Sequence, residues 1–328
     1  MTLRFAALVA ALLAVAGGAL LVGGTALSPA DVGSALMHPH SGGEITTIVW
    51  QLRLPRIVIG ALVGAALAIA GALLQGLLRN PLVDPYLTGV SAGAAVAIVL
   101  SISAGVAAAA VPALGFAAGV ATAIAVAALA RRGASLDATR LILAGVSLSS
   151  LFAAIIALVL TRVQGGGSAP AIVSWLAGTL SGRGWSDLAF SAPYAFLGVV
   201  LAFLSAPALN ALRLGDVRAA AVGVDVGRAQ WTILASSSLL AASAVTLSGT
   251  IGFVGLIVPH VARRMVGSDA RYVLAASALL GAALTIAADA LSRTLLAPAE
   301  IPIGVLLAII GVPTFLYLYL RDRRTAAA

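Results

Sequence analysis

The stretch QLRLPRIVIGALVGAALAIAGALLQGLLRNPLVDPYLTGVSAGA, residues 51–94, holds a long apolar run between two polar boundaries. After Arg56 the chain continues for 22 residues, to Leu78, without a charged side chain. An α-helix needs about 20 apolar residues to cross a hydrocarbon core roughly 30 Å thick. The run therefore predicts a membrane-spanning helix over residues 54–78. The two prolines of the following RNPLVDP end this helix and delay the next, which predicts a rigid connector.

The whole chain has the same character. Of its 328 residues, 61% are hydrophobic, against about 45–50% in soluble domains. Backbone groups find no water in lipid, so the spans should be helices, and the apolar runs lack the alternation of barrel strands. We predict one all-α integral membrane domain over residues 1–328 with ten spans: 4–27, 54–78, 87–105, 111–130, 140–160, 188–209, 229–249, 251–266, 272–291 and 303–320.

The arginines set the orientation. All nineteen basic residues are arginines, and with a cytoplasmic N-terminus fourteen of them fall on the inner side. Cytoplasmic loops carry such an excess, so we expect both termini in the cytoplasm. The first apolar run, residues 5–22, exceeds the 7–15 residues of a signal peptide, so we expect a retained span. The five arginines on the outer side are Arg53, Arg56, Arg162, Arg183 and Arg293.

The chain lacks the residue types that several kinds of active site require. The chain has no cysteine, which excludes disulfides and thiolate sites, and no lysine, which excludes a nucleotide-binding P-loop. Its histidines are His38, His40 and His260; we expect the first two to be solvated in an outer loop, and contact with substrate stays open. The net charge of +8 lies at span ends and indicates topology rather than nucleic-acid binding. We predict a non-enzymatic chain without metal or cofactor of its own.

One acidic residue lies within a predicted span. Asp289 is 18 residues beyond Arg271 on the same helix, or about 27 Å, which places it near the outer interface. Arg293 follows four residues later on the same face. A structural ion pair is the favoured interpretation, and a proton relay is the alternative.

A polar stretch, LRLGDVRAAAVGVDVGR at residues 212–228, separates two apolar runs on the predicted cytoplasmic side. Asp216 is a plausible N-cap, Gly223 can end the short helix in a left-handed conformation, and Asp225 can cap the next helix. A helix of barely two turns is marginal alone. It should pack either on a partner protein or on the inner ends of the chain's own spans.

Three long motifs carry a family resemblance: residues 51–94, GTIGFVGLIVPHVARRMVG at 249–267, and AEIPIGVLLAIIGVPTF at 299–315. In this order they resemble the FecCD-type permeases of bacterial type II ABC importers for iron chelates, haem and vitamin B12. The resemblance covers nearly the whole chain. It implies a homodimeric pore in the bacterial inner membrane, with ten helices per subunit. It also implies two cytoplasmic ATPase subunits that bind ATP and Mg²⁺, and a periplasmic or lipid-anchored substrate-binding protein.

The resemblance also implies roles for individual residues. ATPase coupling falls to the polar stretch, at Leu214, Gly215, Asp216, Val217, Arg218, Ala221, Gly223 and Val224. Arg53, Arg56 and Arg293 match positions that pair with glutamates of the binding protein, while interfacial snorkelling is the alternative for the first two. The loop SLDAT matches a cytoplasmic gate, at Asp137, Ala138 and Thr139, where some relatives carry small hydroxyl residues. The remaining motif positions are Gln75, Arg79, Asn80, Pro81, Pro259, His260 and Asp289.

The resemblance leaves the substrate open. We expect an iron chelate, either a ferric siderophore or haem, and cobalamin is the alternative within the family. Outside the family, an ion-coupled secondary transporter is the alternative, and a membrane enzyme is a more distant one.

Overall fold

The computed structural model describes residues 1–40, 42–132, 135–163 and 169–326; the side chains of residues 132, 163 and 318–326, which include three C-terminal arginines, lie outside the described set. Within these residues the chain forms α1 (Thr2–Leu21), α2 (Pro29–Met37), α3 (Glu44–Thr47), α4 (Leu54–Leu77), α5 (Val90–Ser103), α6 (Val111–Leu129), α7 (Ala138–Val163), α8 (Ala169–Leu176), α9 (Trp185–Leu212), α10 (Asp216–Ala221), α11 (Val226–Ser248), α12 (Val254–Val266), α13 (Ala270–Ser292) and α14 (Ile303–Ala326). A π-helical turn, Ile48–Arg53, joins α3 to α4, and a 3₁₀ turn, Pro85–Thr88, precedes α5. Two short strands, β1 (Arg131–Arg132) and β2 (Ser135–Leu136), pair antiparallel between α6 and α7.

The all-α membrane class is confirmed. Among the described residues, seven helices are long and apolar enough to cross a membrane, and residues 90–103 and 303–317 form shorter apolar helices. The eighth predicted span, residues 251–266, contains α12, which begins three residues later than predicted, at Val254, and whose 13 residues reach only about 20 Å. Every predicted span therefore contains a helix, while the count of ten crossings stays a prediction.

The first predicted span ends too late. Helix α1 stops at Leu21, not at residue 27, and an irregular segment with Gly23 and Gly24 follows. The last carbonyl groups of a helix have no partner within it. Here the guanidinium groups of Arg53 and Arg293 bind carbonyls at this end of α1, so the chain can leave the helix without stranding them.

Helix α4 is the centre of the bundle, packed by α13, α11, α12 and α9. Glycines permit the closest crossings. A Cβ atom on Gly64 would collide with the Gly281 carbonyl of α13, and one on Gly71 would collide with the Gly255 carbonyl of α12. Small residues allow this approach where lipid supplies no hydrophobic drive for association. The core is thus built on backbone contact.

The bundle has two opposite ends. The "α10 end" gathers the start of α1, α10 and the turn between α12 and α13, where Arg4 donates to Met265 O and Arg213 to Ser268 O. The "Arg56 end" gathers the C-termini of α1 and α13 and the start of α4. The residues predicted for ATPase coupling lie at the α10 end, and those predicted for docking of the binding protein lie at the Arg56 end.

Candidate functional site

Helix α10 is built from local capping signals. Gly215 adopts a left-handed φ of 105° as its N-cap, so the helix begins at Asp216, one residue earlier than predicted. Gly223, with φ of 85°, ends the turn after it. The Asp225 side chain accepts from Arg228 N at 3.0 Å and caps α11, as predicted. The sequence therefore folds a six-residue helix between two glycines.

The two faces of α10 differ. Ala219 is fully buried where α10 packs against α9 and α11. Away from Ala219 the helix is uncovered: Val217 is 85% exposed, and Leu214 and Val222, which flank α10, are exposed as well. Large exposed apolar groups at the end of a bundle are typical of a protein contact surface. Both alternatives left open by the sequence therefore have a physical basis: one face is covered by the chain's own spans and the other is uncovered.

A polar contact ties α10 to the connector after α4. Arg79 Nη2 lies 3.3 Å from Asp216 Oδ1, and both side chains are roughly half exposed. Arg79 adopts a left-handed φ of 51°, which is uncommon for a residue other than glycine. An exposed pair of this kind contributes about 0–1 kcal/mol, so it positions α10 without locking it.

The connector itself is held by short polar turns. Asn80 Oδ1 accepts from Leu82 N at 2.9 Å, and Asp84 Oδ1 accepts from Tyr86 N at 2.9 Å. Pro81 is exposed at the turn. Burial raises the pKa of Asp84 to about 6, and the hydrogen bond from Tyr86 N opposes that rise. These contacts agree with the rigid connector expected from the sequence.

Gln75 compensates for a proline on another helix. Pro259 has no N–H, so the carbonyl of Gly255, four residues earlier in α12, lacks its usual donor. Gln75 Nε2 lies 3.1 Å from that carbonyl and supplies the missing hydrogen bond. Gln75 Oε1 in turn accepts from Arg263 Nη2. The motif residues Gln75 and Pro259 thus form one structural unit, and His260 follows them half-buried.

The predicted gate loop, residues 135–139, begins as the second strand of the β-hairpin and leads into α7. Asp137 Oδ1 accepts from Arg140 N at 2.9 Å and caps α7, whose first residue is Ala138. Thr139 is exposed. The preceding Leu136 N donates to Gln230 Oε1 at 2.7 Å. Gln230 is a residue that sequence reasoning missed, although a polar side chain one turn inside an apolar span was an available signal.

At the Arg56 end a buried ion network confirms the structural pair. Arg293 Nε lies 3.0 Å from Asp289 Oδ2, and Arg56 Nε lies 2.8 Å from Asp289 Oδ1. Asp289 is 2% exposed. Arg56 also holds both oxygens of Glu300, at 3.1 and 3.0 Å. Burial alone would raise the pKa of Glu300, but its bonds to Arg56 hold that pKa below the usual value.

The three predicted docking arginines lie together but do not face outward freely. Arg53 and Arg293 are buried, and their guanidinium groups donate to α1 carbonyls, including Leu20 O and Val22 O. Arg56 is 11% exposed beside the 39%-exposed Glu300. Sequence reasoning missed Glu300 as a partner because 244 residues separate the two. Docking on this cluster stays a prediction, and the exposed carboxylate now belongs to it.

Other predicted groups lie apart from both ends' networks. His38 follows α2, with Nδ1 3.2 Å from Ser34 O, and His40 is exposed. Within the described ranges no group of three metal-ligating side chains converges. A cavity of about 590 Å³ opens between α5, α7 and α12, and its polar lining includes Asp84, Ser149 and Ser150.

Comparison with known proteins gives consistent results. The hemin transport system permease protein HmuU of Yersinia pestis is 41% identical over 56% of this chain and 55% of its own length. The cobalamin import system permease protein BtuC of Halobacterium salinarum is 40% identical over 62% of this chain and 53% of its own length. The chain thus spans about half the length of these curated relatives in the matched regions.

A solved structure aligns over far more of the chain. It is described as an inward-facing conformation of a metal-chelate type ABC transporter. It superposes with a TM-score of 0.88 at 33% identity, covering 98% of this chain and 99% of that one. The model of the FecCD transport family matches residues 5–321. With this match over nearly its whole length, the chain belongs to the FecCD transport family.

Proposed function

We propose that this chain is the membrane-spanning permease subunit of an ATP-driven importer that passes an iron chelate, a ferric siderophore or haem, into the cytoplasm. The uncovered apolar face of α10 carries the proposal, because it gives a chain without a nucleotide-binding P-loop a place to receive force. The near-complete superposition on a metal-chelate type transporter supports the same assignment.

In this proposal the α10 end is cytoplasmic and the Arg56 end faces outward. The support is the arginine distribution, with fourteen of nineteen on the α10 side. Both termini then lie in the cytoplasm, and the chain resides in the bacterial inner membrane. Two ATPase subunits bind ATP and Mg²⁺ and dock at α10, whereas the chain itself performs no covalent chemistry.

We propose a homodimer, and the uncovered side of the bundle supports it. Only 6% of the most apolar stretch of α7 is buried. Leu143, Leu151 and Leu158 are all more than half exposed. The neighbouring cavity carries Asp84 and two serines, which are unfavourable against lipid. A second copy of this chain placed against α7 would enclose the cavity and convert it into a pathway between the subunits.

The binding protein is proposed to dock at the Arg56 end. The cluster there contains three guanidinium groups and two carboxylates, so it keeps a net positive charge. Such a charge suits acidic side chains of a partner and sets encounter rate and register more than affinity. The partner's carboxylates would meet Arg56 and Glu300 first, because Arg53 and Arg293 lie deeper.

Two alternatives remain within reach of experiment. Cobalamin is a candidate because a named relative is a cobalamin permease. An ion-coupled transporter gains no support from Asp289, since Arg56 and Arg293 already hold this carboxylate as a structural group.

The test is reconstitution of the chain with its ATPase subunits and binding protein in proteoliposomes. The proposal predicts uptake of the binding protein's ligand that requires internal ATP and is blocked by vanadate. Uptake by the chain alone, abolished by an ionophore and insensitive to vanadate, would support the secondary transporter. The ligand retained by the purified binding protein distinguishes a ferric siderophore, haem and cobalamin.

A further inference from the structure

Gln230 lies in the second turn of α11, 4% exposed, between α10 and the predicted gate segment. Its Oε1 accepts from the backbone N–H of Leu136 at 2.7 Å, and its Nε2 lies 3.3 Å from Asp216 Oδ2. Leu136 immediately precedes the predicted gate residues, and Asp216 is the first residue of α10. One buried amide therefore touches both segments.

Chemistry fixes the orientation of this amide. Its carbonyl oxygen can only accept a hydrogen bond, and its NH₂ group can only donate. A flipped amide would place its oxygen against the Asp216 carboxylate and its NH₂ against the Leu136 N–H. Both contacts are favourable in one orientation and unfavourable in the other, so the side chain is specified from two sides at once.

Neighbouring contacts extend the connection in both directions. The Arg131 guanidinium of β1 lies over the Trp231 ring at 5.9 Å, which holds the hairpin on the same turn of α11. The other oxygen of Asp216 faces Arg79 in the connector. The contacts thus run from the connector through Asp216 and Gln230 to the hairpin.

The two bonds of Gln230 differ in how readily they break. The bond to Leu136 is buried, and losing it would leave an N–H group without a partner, at a cost of the desolvation of that group. The bond to Asp216 is longer and its carboxylate is half exposed, so water can replace it. If α10 moves by about an ångström and the amide does not follow, the distance between Gln230 Nε2 and Asp216 Oδ2 becomes too long for a hydrogen bond.

We propose that Gln230 is a positioning residue that transmits movement of α10 to the gate segment at residues 135–139. The inference rests on the proposed function, because it assumes that an ATPase moves α10. When α10 is displaced, the Gln230 amide turns with Asp216 and pulls on the Leu136 N–H. This pull shifts the start of α7. Without the amide, α10 moves and the hairpin does not follow.

The test is Gln230→Met, which keeps similar volume and removes both hydrogen bonds. In proteoliposomes with the ATPase subunits and binding protein, we expect ATP hydrolysis within twofold of wild type and uptake per ATP reduced about fivefold or more. A purely structural role would lower ATP hydrolysis and uptake in proportion and leave uptake per ATP unchanged. Unchanged uptake per ATP would overturn the proposal. The matched control is Thr232→Val, which loses only a bond to Arg228 O within its own helix and should change neither quantity.

A second measurement separates this inference from the proposed function. Amide hydrogen exchange of residues 135–137, on the chain alone in nanodiscs, should be faster in Gln230→Met than in wild type; equal exchange would show that the bond is dispensable and overturn the proposal. If wild type itself shows no ATP-dependent uptake, the proposed function fails whatever the exchange shows. If Gln230→Met does not accumulate, Asp216→Ala removes the bond to Gln230 together with the ion pair to Arg79 and should lower uptake per ATP, whereas Arg79→Ala removes only the ion pair and should not. An unchanged ratio in Asp216→Ala, or an equal loss in Arg79→Ala, would contradict the inference.

Discussion

The two ends of the bundle hold their charges in opposite ways. At the Arg56 end, Asp289 is buried between Arg56 and Arg293, and Arg53 is fixed to carbonyls of α1. At the α10 end, Asp216 is half exposed and shared between Arg79 and Gln230, which belong to different elements. Buried pairs are costly to break, whereas exposed pairs exchange readily with water. The contrast indicates a rigid Arg56 end and an adjustable α10 end.

The largest expected effect is at the rigid end. Asp289→Ala would remove the buried carboxylate that pairs with Arg56 and Arg293. We therefore expect a loss of about 3–5 kcal/mol in the free energy of unfolding. Thermal and denaturant unfolding of the purified chain measure it. Asp187→Ala is the control, because it also removes an i,i+4 partner of an arginine, Arg183, but at partly exposed positions, together with the bond from Gly184 N; it should cost about 1–2 kcal/mol. Equal losses for the two variants would erase the distinction.

The next effect concerns the proline compensation in the core. Gln75→Leu leaves the Gly255 carbonyl without its donor and should cost about 1–3 kcal/mol. Hydrogen exchange in α12 should rise along with the loss of stability. Gln51→Leu, at an exposed position of the Arg56 end, should have little effect. A Gln75→Leu variant as stable as the parent would show that the Gly255 carbonyl finds another donor.

At the adjustable end a surface change should alter binding but not folding. Val217→Asp places a charge on the uncovered face of α10 and should weaken association with the ATPase subunits about tenfold, which is about 1.4 kcal/mol. Co-purification at graded protein concentration measures it. Val106→Asp, an exposed apolar position in the loop between α5 and α6, should leave association intact. If only Val106→Asp reduced association, the orientation would have to be reversed.

The smallest effect is expected at the surface of the rigid end. Glu300→Gln removes the negative charge that faces Arg56. It should therefore tighten docking of the binding protein a few-fold, more visibly at low salt. Glu44→Gln, an exposed change at the same end, is the comparison. Weaker docking in Glu300→Gln would mean that this carboxylate supports the docking surface and does not compete with the partner.

Local signals predicted much of this structure. The uncharged run before Leu78 gave a helix that ends one residue earlier, at Leu77. The glycine and aspartate pattern gave the left-handed Gly223 after α10 and the Asp225 cap of α11, but the predicted Asp216 cap was wrong, because Gly215 is the N-cap. Backbone conformation and continuous apolar runs depend on neighbours in sequence, which a single chain displays. Helix α2 carried an equally local signal, the capping box of Ser28 and Asp31, that was overlooked.

The misses depend on distant partners. The end of α1 was misplaced because arginines 33 and 271 residues away bind its carbonyls. The start of α12 was misplaced because Gly249 and Phe253 adopt left-handed conformations, and nothing in the sequence forces Phe253 to do so. Glu300 and Gln230 were missed for the first reason, since their roles depend on residues from other elements that folding brings together.

In the proposed function, force enters this permease at α10 and opens a pathway for a metal chelate. The direct measurement is uptake of the binding protein's radiolabelled ligand into proteoliposomes that contain the chain and its ATPase subunits, with wild type and Val217→Asp compared at equal insertion. The account predicts vanadate-sensitive uptake in wild type and strongly reduced uptake in Val217→Asp. Equal uptake by the two variants, insensitive to vanadate and abolished by an ionophore, would contradict it.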